Sequence, residues 1–484
     1  MSTKALTIWT FIVTSVAVFM VSLDNLVVTT ALPVIKHDLG ASLQGLEWTV
    51  NAYTLTFAVL LLTGAALGDR FGRKRMFLVG LAIFTLGSAA AALAPSIQAL
   101  IAARALQGVG AAIVTPLTLT ILSGAVSPAR RGLALGIWGG VSGLAVALGP
   151  VVGGAVVEGL SWQWIFWLNV PIGVVLLPIA WRRLSESRGA NRALDLPGLG
   201  LASVGLLGIV WGLVRGNEYG WTSLGVAGPI AAGVVLLGAF VLWELRTREP
   251  MVPMRFFRKR AFSAANITSL LMSFGMFGAI FLLAQYFQVV QGYSPLQAGL
   301  RTLPWTAMPI FVAPIAGILS DRIGARPLLV AGMALMAAGL AWIAVVTTPT
   351  VAYGRLVPAF VMAGVGMSLY FAPVANLVLS TVRRREEGKA SGVNNTVREV
   401  GGVFGVAVLA SVFSAVGGYA TPQLFVNGMV AALWVGAAAV AVAGIAAIAI
   451  PPRQDVTPDS VSLLERPDGA GTETDLAFQS EAAA

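Results

Sequence analysis

The chain has 484 residues, of which 57% are hydrophobic and only 11% charged, with no cysteine and one histidine. Soluble domains carry about a quarter of charged residues, so this composition excludes one and points to a chain that crosses a membrane many times. The missing cysteine rules out disulfides, thiolate metal sites and thiol nucleophiles; His37 reads as a solvated loop residue, so no metal site is expected.

In chain order, apolar runs of roughly the twenty residues a bilayer requires occur fourteen times, at 8–33, 46–68, 76–94, 98–122, 133–157, 164–181, 196–214, 223–244, 262–288, 296–319, 327–347, 355–380, 391–416 and 425–450. The expected fold class is an all-α polytopic membrane protein. The first run is too long for a signal peptide and contains Asp24, so it reads as a retained helix. With the N terminus inside, the connections place 25 Lys and Arg on the inner face, against Lys36, Arg215 and Arg355 outside, which satisfies the positive-inside rule. The net charge of +10 thus faces anionic lipid head groups, nucleic acid is not expected as a partner, and both termini are expected in the cytoplasm. Residues 451–484, with seven acids against two arginines, read as a disordered cytoplasmic tail.

A carboxylate in the first apolar run needs a reason, because a charge at the centre of a membrane helix costs about 2.5–3.5 kcal/mol on insertion scales. Asp24 lies sixteen residues into a helix rising from the inner face, roughly 24 Å up at about 1.5 Å per residue. Arg104 lies about six residues into the fourth run, descending from outside, roughly 9 Å below that surface. In a core of about 30 Å the two depths nearly coincide, so Asp24 and Arg104 are expected to interact. Two readings stand: a static pair joining the first and fourth helices, or a switch in which protonating Asp24 frees Arg104. Glu399, beside Arg398, is the only other acid placed well inside a run. It is read either as a second protonation or substrate site or as a partner of Arg398. Arg301 snorkels to the interface.

LGDRFGRKR (67–75) and LSDRIGARP (319–327) share L-x-D-R-x-G in register, 252 residues apart and both on the inner face. The match implies a duplicated six-helix unit, with 1–181 and 262–450 as two six-helix bundles and 182–261 as an inserted helix pair. Gly68, Asp69, Arg70, Gly72 and Arg73, with Asp321, Arg322 and Gly324, form candidate gates. A charged loop with a turn glycine docks one helix end on another through contacts that are made in one conformation and broken in another. The bland alternative is a positive-inside turn.

Fourteen helices with this repeated loop resemble the major facilitator superfamily, in particular its fourteen-helix drug:proton antiporter family. LIAARALQGVGAA (100–112) is similar to that family's helix 4 motif, with Arg104, Gln107 and Gly108 in place. ALGPVVGG (147–154) resembles its antiporter motif through Gly149, Pro150, Gly153 and Gly154. LDNLVVTTALP (23–33), WQWIFWLNVPIG (162–173) and VREVGGVFGVAVL (397–409) resemble its helix 1, 6 and 13 segments. Ala65 and Ala145 stand where the family usually has glycine, which loosens close packing slightly. The resemblance implies a proton-coupled exporter of lipophilic small molecules in the cell membrane, with Asp24, Arg104 and Glu399 as proton-coupling residues. It needs no cofactor and acts as a monomer, driven by the proton gradient; antibiotic export is the plausible cargo. The direction of transport rests on the resemblance alone, and importer and non-transporting sensor remain as alternatives.

Asn25, Asn51, Tyr53, Gln285, Tyr286 and Tyr370, polar groups in apolar runs, line a candidate substrate cavity or make interhelical hydrogen bonds. No G-x-x-x-x-G-K-[ST], G-x-S-x-G or H-E-x-x-H occurs, so neither an ATP-driven pump nor a membrane hydrolase is expected.

Overall fold

The computed structural model describes residues 3–126, 128–188, 195–382 and 386–452; the expected tail lies, beyond residue 452, outside them. Among the described residues thirteen helices are long and apolar enough to span a membrane, and a further one of 32 residues, α5, fills the place of the fifth run. The first five are α1 (Thr3–Leu39), α2 (Leu43–Phe71), α3 (Arg73–Ala92), α4 (Ile97–Ala125) and α5 (Pro128–Gly159). The next are α6 (Trp164–Trp167), α7 (Asn169–Arg183), α8 (Leu196–Tyr219), α9 (Leu224–Arg246) and α10 (Arg260–Gln285), which runs into a π turn at Tyr286–Val290. The last are α11 (Pro295–Thr306), α12 (Met308–Ile323), α13 (Ala325–Val346), α14 (Val357–Ser380), α15 (Glu387–Val416) and α16 (Pro422–Ile448). The molecule is an integral membrane protein.

Local sequence sets many of the helix starts. Ser42, Ser96, Asp195 and Thr421 each accept a backbone N–H at the N terminus of α2, α4, α8 and α16, satisfying a donor the helix itself leaves open. Ser294 and Gln297 make a reciprocal capping box on α11. The two duplicated loops are single-residue breaks: Gly72 (φ 111°) separates α2 from α3 and Gly324 (φ 83°) separates α12 from α13. Both adopt positive φ, which glycine takes without a Cβ clash.

Two runs expected as single helices do each form one span, Trp164–Arg183 and Pro295–Ser320, with a one-residue turn in helical conformation at Leu168 between α6 and α7 and at Ala307 between α11 and α12. In the tenth, Pro304 lies inside α11 and Pro309 opens α12, and each proline removes a backbone donor from the ladder.

The helices form two six-helix bundles and an inserted pair. In the first bundle α1 packs on α5, α2 and α3 on α4, and α3 on α7. In the second, α10 packs on α15, α12 and α13 on α14, and α13 on α16. Exchanging α1, α2, α3, α4, α5 and α7 for α10, α11/α12, α13, α14, α15 and α16 turns one set of pairings into the other, which is how a duplicated unit packs. The bundles meet through α2 against α15 and α5 against α11, themselves an exchange-related pair. In the inserted pair, α8 and α9 pack on each other and α8 lies along the α2–α15 seam.

The α5–α11 contact is backbone against backbone. A Cβ at Gly154 would lie 2.3 Å from the Pro295 carbonyl oxygen, and one at Gly299 would lie 2.2 Å from that of Pro150. Neither obstacle is a side chain that can swing away. Gly299→Val should therefore lower the thermal midpoint of the purified protein by several degrees, an overpacking cost of about 1–3 kcal/mol. Gly159→Val, at a site with nothing within 4 Å, should leave it nearly unchanged. Equal midpoints for the two variants would contradict the tight contact.

Candidate functional site

Asp24 sits midway along α1, 1% exposed, and a carboxylate so deep in apolar surroundings is tolerable only if its oxygens are satisfied. They are. Arg104 of α4, also 1% exposed, donates from Nη1 to Oδ2 at 2.5 Å. Asn169 at the start of α7 donates to Oδ1 at 2.7 Å, and Gln107 of α4 donates to the same oxygen at 3.2 Å.

The network continues beyond the carboxylate. Arg104 Nη1 also reaches Gln107 Oε1 at 2.9 Å and Nε reaches the Thr49 carbonyl of α2 at 3.3 Å. Gln107 Nε2 donates to Ser88 Oγ of α3 at 2.6 Å. The guanidinium lies over the Tyr53 ring, 4.2 Å from its centroid, a cation–π contact between two buried side chains. Tyr53 in turn donates its hydroxyl to the Val21 carbonyl of α1. Asp24 thus ties α1, α2, α3, α4 and α7 together.

Sequence depth placed Asp24 beside Arg104, and helical spacing puts Gln107 on the same face of α4 as Arg104. Ser88 and Asn169 were missed. Asn169 lay inside the WQWIFWLNVPIG segment, at the first residue of α7.

The second bundle holds a smaller polar group. Arg398 Nη2 pairs with Glu399 Oε1 at 3.0 Å, Glu399 is 3% exposed, and its Oε2 has no partner among the described residues. One turn earlier on α15, Asn394 donates to Asn266 Oδ1 at 3.2 Å and Ser269 Oγ at 2.8 Å, both on α10. Tyr370 of α14 interacts electrostatically with both Arg398 and Glu399, and Glu399 is within electrostatic reach of Tyr53 in the other bundle. Glu399 is not the only further acid buried in a span: Glu47 of α2 and Glu244 of α9, at 2% and 3% exposed, escaped notice because both lie within a few residues of a helix end.

Of the other cavity candidates, Asn25 is half-buried and Asn51 fully buried. Gln285 donates to the Phe281 carbonyl within α10 and accepts from Tyr419. Tyr286 turns away, donating to the Thr348 carbonyl in the connection after α13.

In the first duplicated loop, Arg73 closes on Asp69 at 2.9 Å. The docking partner is one the loop sequence did not show. Glu186, just beyond α7, accepts from the Lys74 and Arg75 amides at the N terminus of α3, at 3.0 and 3.2 Å, where the helix dipole favours an anion. A Cβ on Gly72 would strike that carboxylate, and one on Gly68 would strike Leu117 of α4. Arg70 lies beside Phe71. In the second loop Gly324 makes the turn and Arg322 is engaged; the Asp321 side chain lies outside the described residues. The antiporter-like glycines divide their work. Gly149 and Gly153 let α5 approach α1 at Leu26 and Val27, while Gly154 faces α11. Gly108 brings α4 against the Tyr53 carbonyl of α2.

Two exchangeable helix bundles joined by two seams, with a buried charge network in one of them, define a helical membrane transporter fold. The chain belongs to the Major Facilitator Superfamily, whose model matches residues 14–406 and 267–471, and within it to the drug:proton antiporter family. It is 37% identical over 402 residues to the tetracenomycin C resistance and export protein of Streptomyces glaucescens, covering 83% of this chain and 74% of that one. It is 40% identical over 401 residues to the cephamycin export protein CmcT of Amycolatopsis lactamdurans, covering 81% and 82%. Among solved structures, a bacterial homologue of the human lysosomal transporter Spinster superposes with a TM-score of 0.66 at 16% identity, covering 92% of this chain and 97% of that one. That likeness is one of fold.

Removing one member of a buried ion pair leaves an uncompensated charge and costs about 3–5 kcal/mol. Asp24→Ala and Arg104→Ala should each lower stability markedly, and the double variant should be less destabilised than the sum of the two. Thermal unfolding of the purified proteins, read as a double-mutant cycle, checks this; strict additivity would show that the two side chains do not depend on each other.

Proposed function

We propose that this protein is a proton-coupled secondary exporter of lipophilic small molecules, antibiotics among them, working by alternating access from the cytoplasm, where both termini and the duplicated loops lie. The observation that carries the reading is the Asp24 network. All three side chains on Asp24 are donors, an arrangement suited to an ionised carboxylate, which only accepts.

Protonation turns one of its oxygens into a donor facing donors. To restore pairing, Gln107 or Asn169 must present its carbonyl oxygen instead. If Gln107 turns, Arg104 loses its bond to Gln107 Oε1 and Ser88 loses its donor. One proton therefore rewires contacts inside a network that spans five helices and shifts the balance between two packings of the bundle. The glycine-lined α5–α1 contact carries such a shift to α5, and the α5–α11 contact is where it moves one bundle against the other. Glu399, with one carboxylate oxygen open and within reach of Tyr53, is the candidate second proton acceptor.

Export rather than uptake is supported by the relatives, which are export and resistance proteins by name. The energetics suffice: one proton entering across about 150 mV supplies roughly 3.5 kcal/mol, enough for a drug gradient of a few hundredfold.

Cells expressing the protein should accumulate less of a lipophilic fluorescent dye than control cells, the difference vanishing when a protonophore collapses the gradient. Asp24→Asn, present at equal membrane abundance, should accumulate dye like the control. Unaltered accumulation in wild-type cells across a panel of lipophilic compounds would defeat the export reading, and efflux by Asp24→Asn equal to wild type would defeat the role of Asp24.

A further inference from the structure

At the end of the molecule opposite the duplicated loops, residues from both bundles gather around Tyr419, between α15 and α16: Lys36 in the last turn of α1, Gln285 at the end of α10 and Glu47 near the start of α2, with Asn51 one turn further along α2. Glu47 is 2% exposed and its Oε2 has no partner among the described residues; Asn51 is 0% exposed and both its amide atoms are likewise unpaired. One helical turn apart, the two lie on one face of α2. That face is opposite the one α4 covers through Gly45, Thr49 and Gly108. Each unpaired buried polar group costs about 1–3 kcal/mol, and two side by side are poor structural glue.

Their surroundings are those of a cation site. The Lys36 ammonium sits over the Tyr419 ring, 3.0 Å from the centroid, reaching from one bundle to the other. Glu47 lies within electrostatic reach of Tyr419, so an ammonium and an acid side chain both act on this residue. The Tyr419 hydroxyl donates to Gln285 Oε1. Burial first, and the charge of Glu47 second, push that phenol above its usual range, which keeps it a neutral donor. An aromatic face, an acid with a free oxygen and an amide with both atoms free make the set that recognises a protonated amine.

We propose that Glu47, Asn51 and the Tyr419 ring form a recognition site for the protonated amine of an amphiphilic substrate, at the seam between the bundles. Lys36 is the resident ammonium that a substrate amine displaces. The site is the last station before release, a reading that rests on the export function above. A single acid with an aromatic partner suits a monocation and not a multiply charged one.

The test uses the purified full-length protein in detergent and two probes of matched shape, 1-aminoadamantane and 1-adamantanol, in equilibrium binding. The amine should bind wild type, bind Lys36→Met several-fold more tightly, and bind Glu47→Gln about tenfold or more weakly, the loss of roughly one charge-assisted contact. The alcohol should not distinguish the three proteins. Amine affinity unchanged in Glu47→Gln, equal binding of amine and alcohol, or no amine binding even to Lys36→Met would each overturn the proposal. Glu47→Gln keeps the side-chain shape, and Glu47→Asp, which keeps the charge, should retain part of the affinity if the variant is folded. Failure of the export reading is scored separately, by efflux of an uncharged compound from cells, and does not depend on this binding.

Discussion

The ion pair between Asp24 and Arg104 is the constraint around which the first bundle is arranged. Neither charge is tolerable alone in a membrane interior, so each holds the other, and the remaining lone pairs and protons draw in Gln107, Asn169, Ser88 and the Thr49 carbonyl. Helix positions follow from these demands. Asn169 at the start of α7 reaches the carboxylate, and α4 comes close to α2 through Gly108. A network satisfied to this degree is rigid in one protonation state and frustrated in the other, which is the property a proton switch needs.

The rest of the fold provides what such a switch can act on. The pairings inside one bundle recur in the other, and the seams between them are a matched pair. One seam, α5 against α11, is sealed by glycines with no slack. A tightly packed seam is bistable rather than gradually deformable; on the proposed reading, a change of a few kcal/mol inside the first bundle closes or opens it. Glu186, clamped on the α3 amides, fixes the opposite end of the same bundle through α7, the helix that also carries Asn169.

Much of this was legible in the sequence because membrane helices obey few rules strongly. Fourteen apolar runs and the repeated L-x-D-R-x-G loop determine the span count, and depth arithmetic brings Asp24 to Arg104. The one-residue turns at Leu168 and Ala307 were harder to read: apolar composition continues through both, and the prolines near Ala307 are of a kind that other spans, such as α5 and α14, carry inside a continuous helix. Side-chain direction was illegible too. Asn169 and Ser88 look like ordinary polar residues in their helices until the partners across the bundle are placed. Glu47 sits near a helix start, where an acid is unremarkable; only its burial in the folded chain makes it unusual.

The most direct measurement is proton release in everted membrane vesicles holding wild type or Asp24→Asn, followed with a pH-sensitive dye as a lipophilic compound is added to an imposed gradient. The account predicts that wild type dissipates the gradient when the compound is added and that Asp24→Asn, incorporated to the same level, does not. Equal responses from the two proteins would contradict it, leaving the Asp24–Arg104 pair as a structural tie and moving the coupled proton elsewhere, with Glu399 the next group to test.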